Sequence, residues 1–228
     1  MTTANEEILA NLKIVSDERA RRMADPAVNR CVADLKRYQQ QRFCHTYADL
    51  LASPRYGTAA RFFLDELYGP TDFTNRDAQF ARVVPSLVLM MPHEVIQTVI
   101  VLSALHALTE VLDTAMARHA PGAQWTPDVY RQAWQKTGRR ADRDTQVTST
   151  LSLAAGLDGL TRNPFLRKSL RLMRLPARLS GLQDLQHFLE TGFDAFGAMA
   201  GAQDFIHLIE TREHAFVSSQ FEATAQAS

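Results

Sequence analysis

Cysteine is nearly absent, with two thiols in 228 residues, Cys31 and Cys44. Both fall in one stretch read as a helix, where about 1.5 Å per residue holds them roughly 20 Å apart, out of disulfide reach. A disulfide scaffold is excluded, and two buried or half-buried inert thiols are expected. An excess of one charge is also lacking: 25 basic and 25 acidic residues leave a formal net charge of zero. No whole-molecule field therefore draws the chain to a polyanion, which argues against a nucleic-acid partner. The longest uncharged run of interest, 95–109, is too short to cross a bilayer and contains Gln97 and Ser103, so no membrane span is expected. Glu6 and Glu7 stand where a signal peptide would carry its apolar core, which makes the cytoplasm the expected compartment. Alternating β-branched runs and Asn-Gly turns are missing, and with them the case for a sheet. No glycine-rich nucleotide loop, phosphate loop or nucleophile elbow occurs, so no catalytic constellation and no cofactor is implied.

What remains is a chain with 46% hydrophobic residues, enough for a sizeable core, written in helical periods. Asp25-Pro26, Ser53-Pro54, Thr126-Pro127 and Asn163-Pro164 each place a capping side chain before a proline, whose missing amide costs nothing in a first turn. Ser180 with Gln183 reads as a capping box, and Thr74 with Asp77 as a variant of one. Apolar stripes follow: Ile8, Leu12 and Val15; Val95, Val99, Leu102, Leu105, Leu112 and Met116; Leu182, Leu185, Leu189, Phe193 and Phe196. These signals predict an all-α fold, a single irregular bundle of eight to ten helices over 1–220 with a frayed tail at 221–228. The helices are expected at 4–23, 26–52, 55–68, 75–90, 93–119, 127–137, 141–157, 164–175, 181–199 and 202–220. The 93–119 segment, apolar nearly all round, should be the central one, and Pro85 should kink or split the fourth.

The densest block is Phe62-Phe63-Leu64-Asp65-Glu66-Leu67-Tyr68, closed by Gly69-Pro70 and followed by Arg76 and Asp77. It resembles the signature of the bacterial FFLEELY-motif proteins, with Asp65 in place of a glutamate. The resemblance implies no activity. Read from the residues, Phe62, Phe63 and Leu67 make an apolar face, with Asp65 and Glu66 mostly on the other side. An ion pair between Arg76 and Glu66 would lock a helix corner. The same residues could edge a ligand pocket formed by Glu66, Tyr68 and Arg76.

Two further patterns bear on function. Arg167, Arg171, Arg174 and Arg178 step by four, three and four, so they share a helix face if the helix passes Pro176 undisturbed, with Leu166, Leu170 and Met173 on another. Arginine forks suit carboxylate or phosphate, which points to a protein or anionic partner; the alternative is a solvated face paired with Asp184, Glu190 and Asp194. Separately, His106, Glu110 and Asp113 share one face, and His207, Glu210 and His214 repeat that spacing near the carboxyl end. Opposed in a bundle, the two faces could hold a metal or haem, although Glu-x-x-His and His-Glu-x-x-His are both missing. The leading expectation is a non-catalytic helical binding module using the arginine face or the corner. A metal- or haem-binding helical enzyme is the alternative.

Overall fold

The structure, a computed structural model, describes residues 3–67, 71–122 and 124–222. Every regular element among them is a helix: α1 (Ala4–Met23), α2 (Pro26–Thr46), α3 (Ala48–Ala52), α4 (Gly57–Glu66), α5 (Thr74–Met90), α6 (His93–His119), α7 (Pro127–Thr137), α8 (Arg140–Thr161), α9 (Pro164–Leu172), α10 (Arg174–Leu179), α11 (Gln183–Ala198) and α12 (Gln203–Phe221). The all-α reading holds. Twelve helices replace ten because the 26–52 segment breaks at Tyr47, and because a second break at Met173 separates α9 from α10. Of the expected tail at 221–228, Phe221 instead closes α12, and 223–228, like the Gly69-Pro70 stop, lie outside the described residues.

Local chemistry explains most boundaries. Asp25 accepts from the amides of Ala27 and Val28, Thr126 from Val129 and Asn163 from Phe165, each ahead of a proline. Thr3 and Glu6 form a full capping box at α1. Three expected caps differ. Ser53 folds back onto the amides of Arg55 and Tyr56 in a turn, and α4 starts later, at Gly57. Thr74 lies inside the first turn of α5, where Asp72 accepts from its amide, while Asp77 turns inward. Ser180 belongs to the end of α10. Gly181, at φ +66°, lets the Leu182 amide reach the Ala177 carbonyl at 2.7 Å, so the α10 stop takes the residues expected to start α11. Helix α5 runs continuously through Pro85.

Helix α6 is flanked by α1, α2, α7 and α8. By length and composition it could cross a bilayer. In the fold it carries buried Ser103, Glu110, Asp113 and Thr114, whose partners come from α1, α2 and α6 itself. Three apolar clusters surround it. One gathers Phe43, Tyr47, Phe62, Phe63, Phe188, Phe196 and Phe205; another Val32, Leu35, Met116, Trp125, Tyr130 and Trp134; the third Ile8, Leu12, Phe80, Val84, Val99 and Leu185.

Glycine is required where α11 meets α4. A Cβ on Gly192 would stand 2.8 Å from Cζ of Phe62, a ring packed against Phe188 and Phe196. Gly192→Ala is therefore expected to destabilise the fold by about 1–3 kcal/mol through overpacking, read as a lower urea midpoint. Pairing it with Phe62→Leu should recover part of that loss.

Candidate ligand cavity and its buried ion network

A cavity of about 340 Å³ runs between the helices, lined from all three apolar clusters. Protein interiors hold few voids larger than a water molecule, so a space of this size departs from an ordinary core. Its lining has two characters. Leu87, Val95, Leu102, Leu157, Leu166, Leu170 and Phe193 are apolar. Lys36, Gln39, Asp77, His106, Glu110, Asp113, Arg143 and Gln146 are not.

The polar wall centres on Glu110, which is 1% exposed. Its Oε1 accepts from Lys36 Nζ at 2.8 Å and from Arg19 Nη2 at 3.2 Å. Arg22 Nη2 stands 2.6 Å from Oε2, a contact of charge rather than an aligned hydrogen bond. Arg22 also donates to Thr114 at 3.1 Å. Arg19 continues to Asp77 at 2.8 Å, and His106 Nε2 lies 2.9 Å from the same Asp77 oxygen. Burial alone would push both carboxyls up. For Asp77 the His106 hydrogen bond and the charges of His106, Arg19 and Arg76 reverse this; for Glu110 the cations Lys36, Arg22 and Arg19 do, and both carboxyls sit below their ordinary range.

Asp113, one turn beyond, behaves oppositely. Burial pushes its carboxyl up, against the pull of Lys36 and the hydrogen bond that Gln39 donates to Oδ1 at 2.9 Å. Its Oδ2 has no partner among the described residues. A carboxyl raised above its unfolded value of 3.8 stabilises the fold only while protonated, and that contribution is lost as pH rises from 3.8 through the folded value. Asp113→Asn is therefore expected to raise stability at neutral pH by about 1–3 kcal/mol. The gain over wild type should shrink as pH falls toward 3.8, which denaturant titrations across pH would read.

The corner joins the same cavity. Arg76 donates to Glu66 Oε2 at 3.2 Å and to the Glu66 carbonyl at 3.1 Å, and it lies over the rings of Phe73 and Phe188. Glu66 thus turns toward the lining instead of staying with exposed Asp65. Across the cavity Arg143 covers Trp134 at 4.2 Å and donates to Gln146, which donates to Thr109.

A family model described as "Domain of unknown function (DUF8198)" matches residues 18–227. The chain belongs to that family. No curated protein and no solved structure matches it. In this DUF8198 chain the match takes in Phe62–Tyr68, the cavity wall and the arginine segment.

The residues singled out in the sequence fall into three groups. Glu66 and Arg76 meet and line the cavity; Tyr68, the third member of that set, lies outside the described residues. Arg167, Arg171, Arg174 and Arg178 are exposed, but the break at Met173 distributes them over two helices. Arg167 pairs with Asp194 at 2.6 Å and Arg174 with Glu190 at 2.7 Å, while Asp184 instead accepts from Asn75 and Gln79. The two metal-like faces do not form one site. His106 and Glu110 are engaged by Asp77 and the α1–α2 cations, whereas His207, Glu210 and His214 are exposed on α12. Among the described residues no group of three or more His, Cys, Asp or Glu is arranged to hold a metal ion. Cys31 is buried and donates to the Ala120 carbonyl, and Cys44 is exposed, against the expectation of two sheltered thiols.

Sequence reasoning missed Arg19, Arg22, Lys36, Gln39 and Arg143. A signal existed for two of them. Arg19 and Arg22 continue the stripe of Ile8, Leu12 and Val15 at plus four and plus seven, so they occupy the buried face of α1.

Proposed function

We propose that this chain is a non-catalytic binding protein for an amphipathic small molecule held in the interhelical cavity. The observation that carries the reading is the division of one 340 Å³ space into an apolar part and an ion-lined part. That volume falls within the range of small-molecule sites, which are mostly apolar with a few convergent polar groups. The ion pairs of Glu110, Asp77 and Glu66 satisfy one another, which suits holding a shape better than moving a proton. Asp113 supplies the orienting contact. Its unpartnered Oδ2 would accept from a hydroxyl or ammonium head, while the ligand's apolar body lies along Leu102, Leu157 and Phe193.

Dodecanol, dodecylamine and dodecane differ only at the head and serve as probes. Saturable displacement of an environment-sensitive dye is expected for the first two. Asp113→Asn should weaken both at least tenfold while raising stability, and Leu102→Trp should weaken all binding by intruding on the apolar part of the space. If neither headed probe binds saturably, or if Leu102→Trp binds as wild type does, the reading fails.

A further inference from the structure

A different part of the molecule faces outward with an unusual composition. Nine large apolar side chains stand exposed among the described residues, and five of them fall within fifteen consecutive positions: Phe165, Leu172, Met173, Leu175 and Leu179. Leu179 is 80% exposed and Phe165 69%. Interleaved with them are Arg167, Lys168, Arg171, Arg174 and Arg178, and no acidic residue occurs between Asp158 and Asp184. Arg167 and Arg174 lean on Asp194 and Glu190; Lys168, Arg171 and Arg178 make no ion pair within 4 Å among the described residues. The segment is anchored from beneath by buried Leu166 and Ala177, by the Arg82 bond to the Ser180 carbonyl and by the Gly181 cap. Its greasy outer side is thus held in place by the body of the protein.

We infer that α9 and α10 form a docking surface for an anionic lipid bilayer. Charge complementarity selects the occupant. Cations set among aliphatic tips match phosphate headgroups over acyl chains, with arginine and lysine at the headgroup level and leucine, methionine and phenylalanine just below. Arginine, methionine and phenylalanine suit a protein interface as well, but tyrosine and tryptophan are missing from 163–180, and a run of cations without any acidic residue favours an extended anionic surface. Two short helices meet at Met173, and both carry exposed apolar side chains beside exposed basic ones. Met173 and the underlying Leu166 also line the cavity, whereas Phe165, Leu172, Leu175 and Leu179 do not, so the variants below leave the cavity lining unchanged.

Flotation of the full chain with vesicles tests it. Vesicles of phosphatidylcholine alone are compared with vesicles containing phosphatidylglycerol as well, at low and high salt. Capture by the anionic vesicles, weakened by salt, is expected, with little capture by the neutral ones. Arg171→Glu with Arg178→Glu should lower the partition coefficient roughly tenfold or more, each basic residue near an anionic surface being worth several-fold. Leu175→Ser with Leu179→Ser should lower it comparably with the charges intact. These positions are exposed, so the circular dichroism and melting of both variants should match wild type. Equal capture by both vesicles, or wild-type capture of the charge variant, would overturn the inference. So would a failure of either vesicle to bind while the leucine variant abolishes self-association in size-exclusion chromatography, because that result assigns the face to a second copy of the chain.

Discussion

Glu110→Gln is expected to cost about 3–5 kcal/mol of stability, the penalty for removing one member of a buried ion cluster. The carboxylate is 1% exposed and compensates Arg19, Arg22 and Lys36 at once. Glutamine keeps the shape and an acceptor oxygen but leaves those cations facing a neutral group. The urea midpoint should fall with little change in slope. The sign of the pH dependence follows from the lowered carboxyl. The stabilisation is present above the unfolded value of 4.5 and is lost as pH falls below it, so the gap between wild type and variant should close in acid. Adding Arg22→Met should restore part of the stability, as removing both partners avoids a stranded charge. A Glu110→Gln protein as stable as wild type at neutral pH would mean that water, not the carboxylate, compensates these cations.

Phe63→Ala should cost a similar amount, about 3–5 kcal/mol, through loss of a large buried side chain and the cavity left behind. Phe63 is 2% exposed, and its ring meets Phe62, Phe196 and Phe205 at centroid distances of 6.1, 5.8 and 6.0 Å. Phe63→Leu should lose less than half as much. Asp65→Ala, two positions on and exposed, should stay within about 0.5 kcal/mol of wild type. Melting and chemical denaturation of the three variants would separate a signature that builds the core from one that presents a surface. A Phe63→Ala protein of unchanged stability would show that these rings carry little of the fold's packing energy.

The architecture was legible where local chemistry decides it. Asp25, Thr126 and Asn163 cap helices because each side chain accepts from first-turn amides next to a proline that needs no such partner, and Arg76 meets Glu66 only 10 positions away in sequence. Misreadings came where two local signals compete or where the partner is distant. Ser180 looks like a helix start, yet the left-handed Gly181 stop claims it. The α6 face of His106, Glu110 and Asp113 was visible from spacing, and its buried charges require partners. Nothing in the spacing says whether those partners are the histidines of α12 or the cations of α1 and α2, because periodicity identifies a buried face without naming the neighbour. The cavity was least legible of all. It depends on how twelve helices fail to fill the space between them, and no window along the chain contains that information.

The grip of Glu110 on α1 also bears on how the molecule comes apart. Terminal helices commonly fray on their own. Here α1 cannot lift away without abandoning Arg19 and Arg22 and stripping α6 of two of its three counter-charges. Detachment of the first helix and opening of the central one therefore become a single event. The stability of α1 against local opening is thereby tied to that of α6.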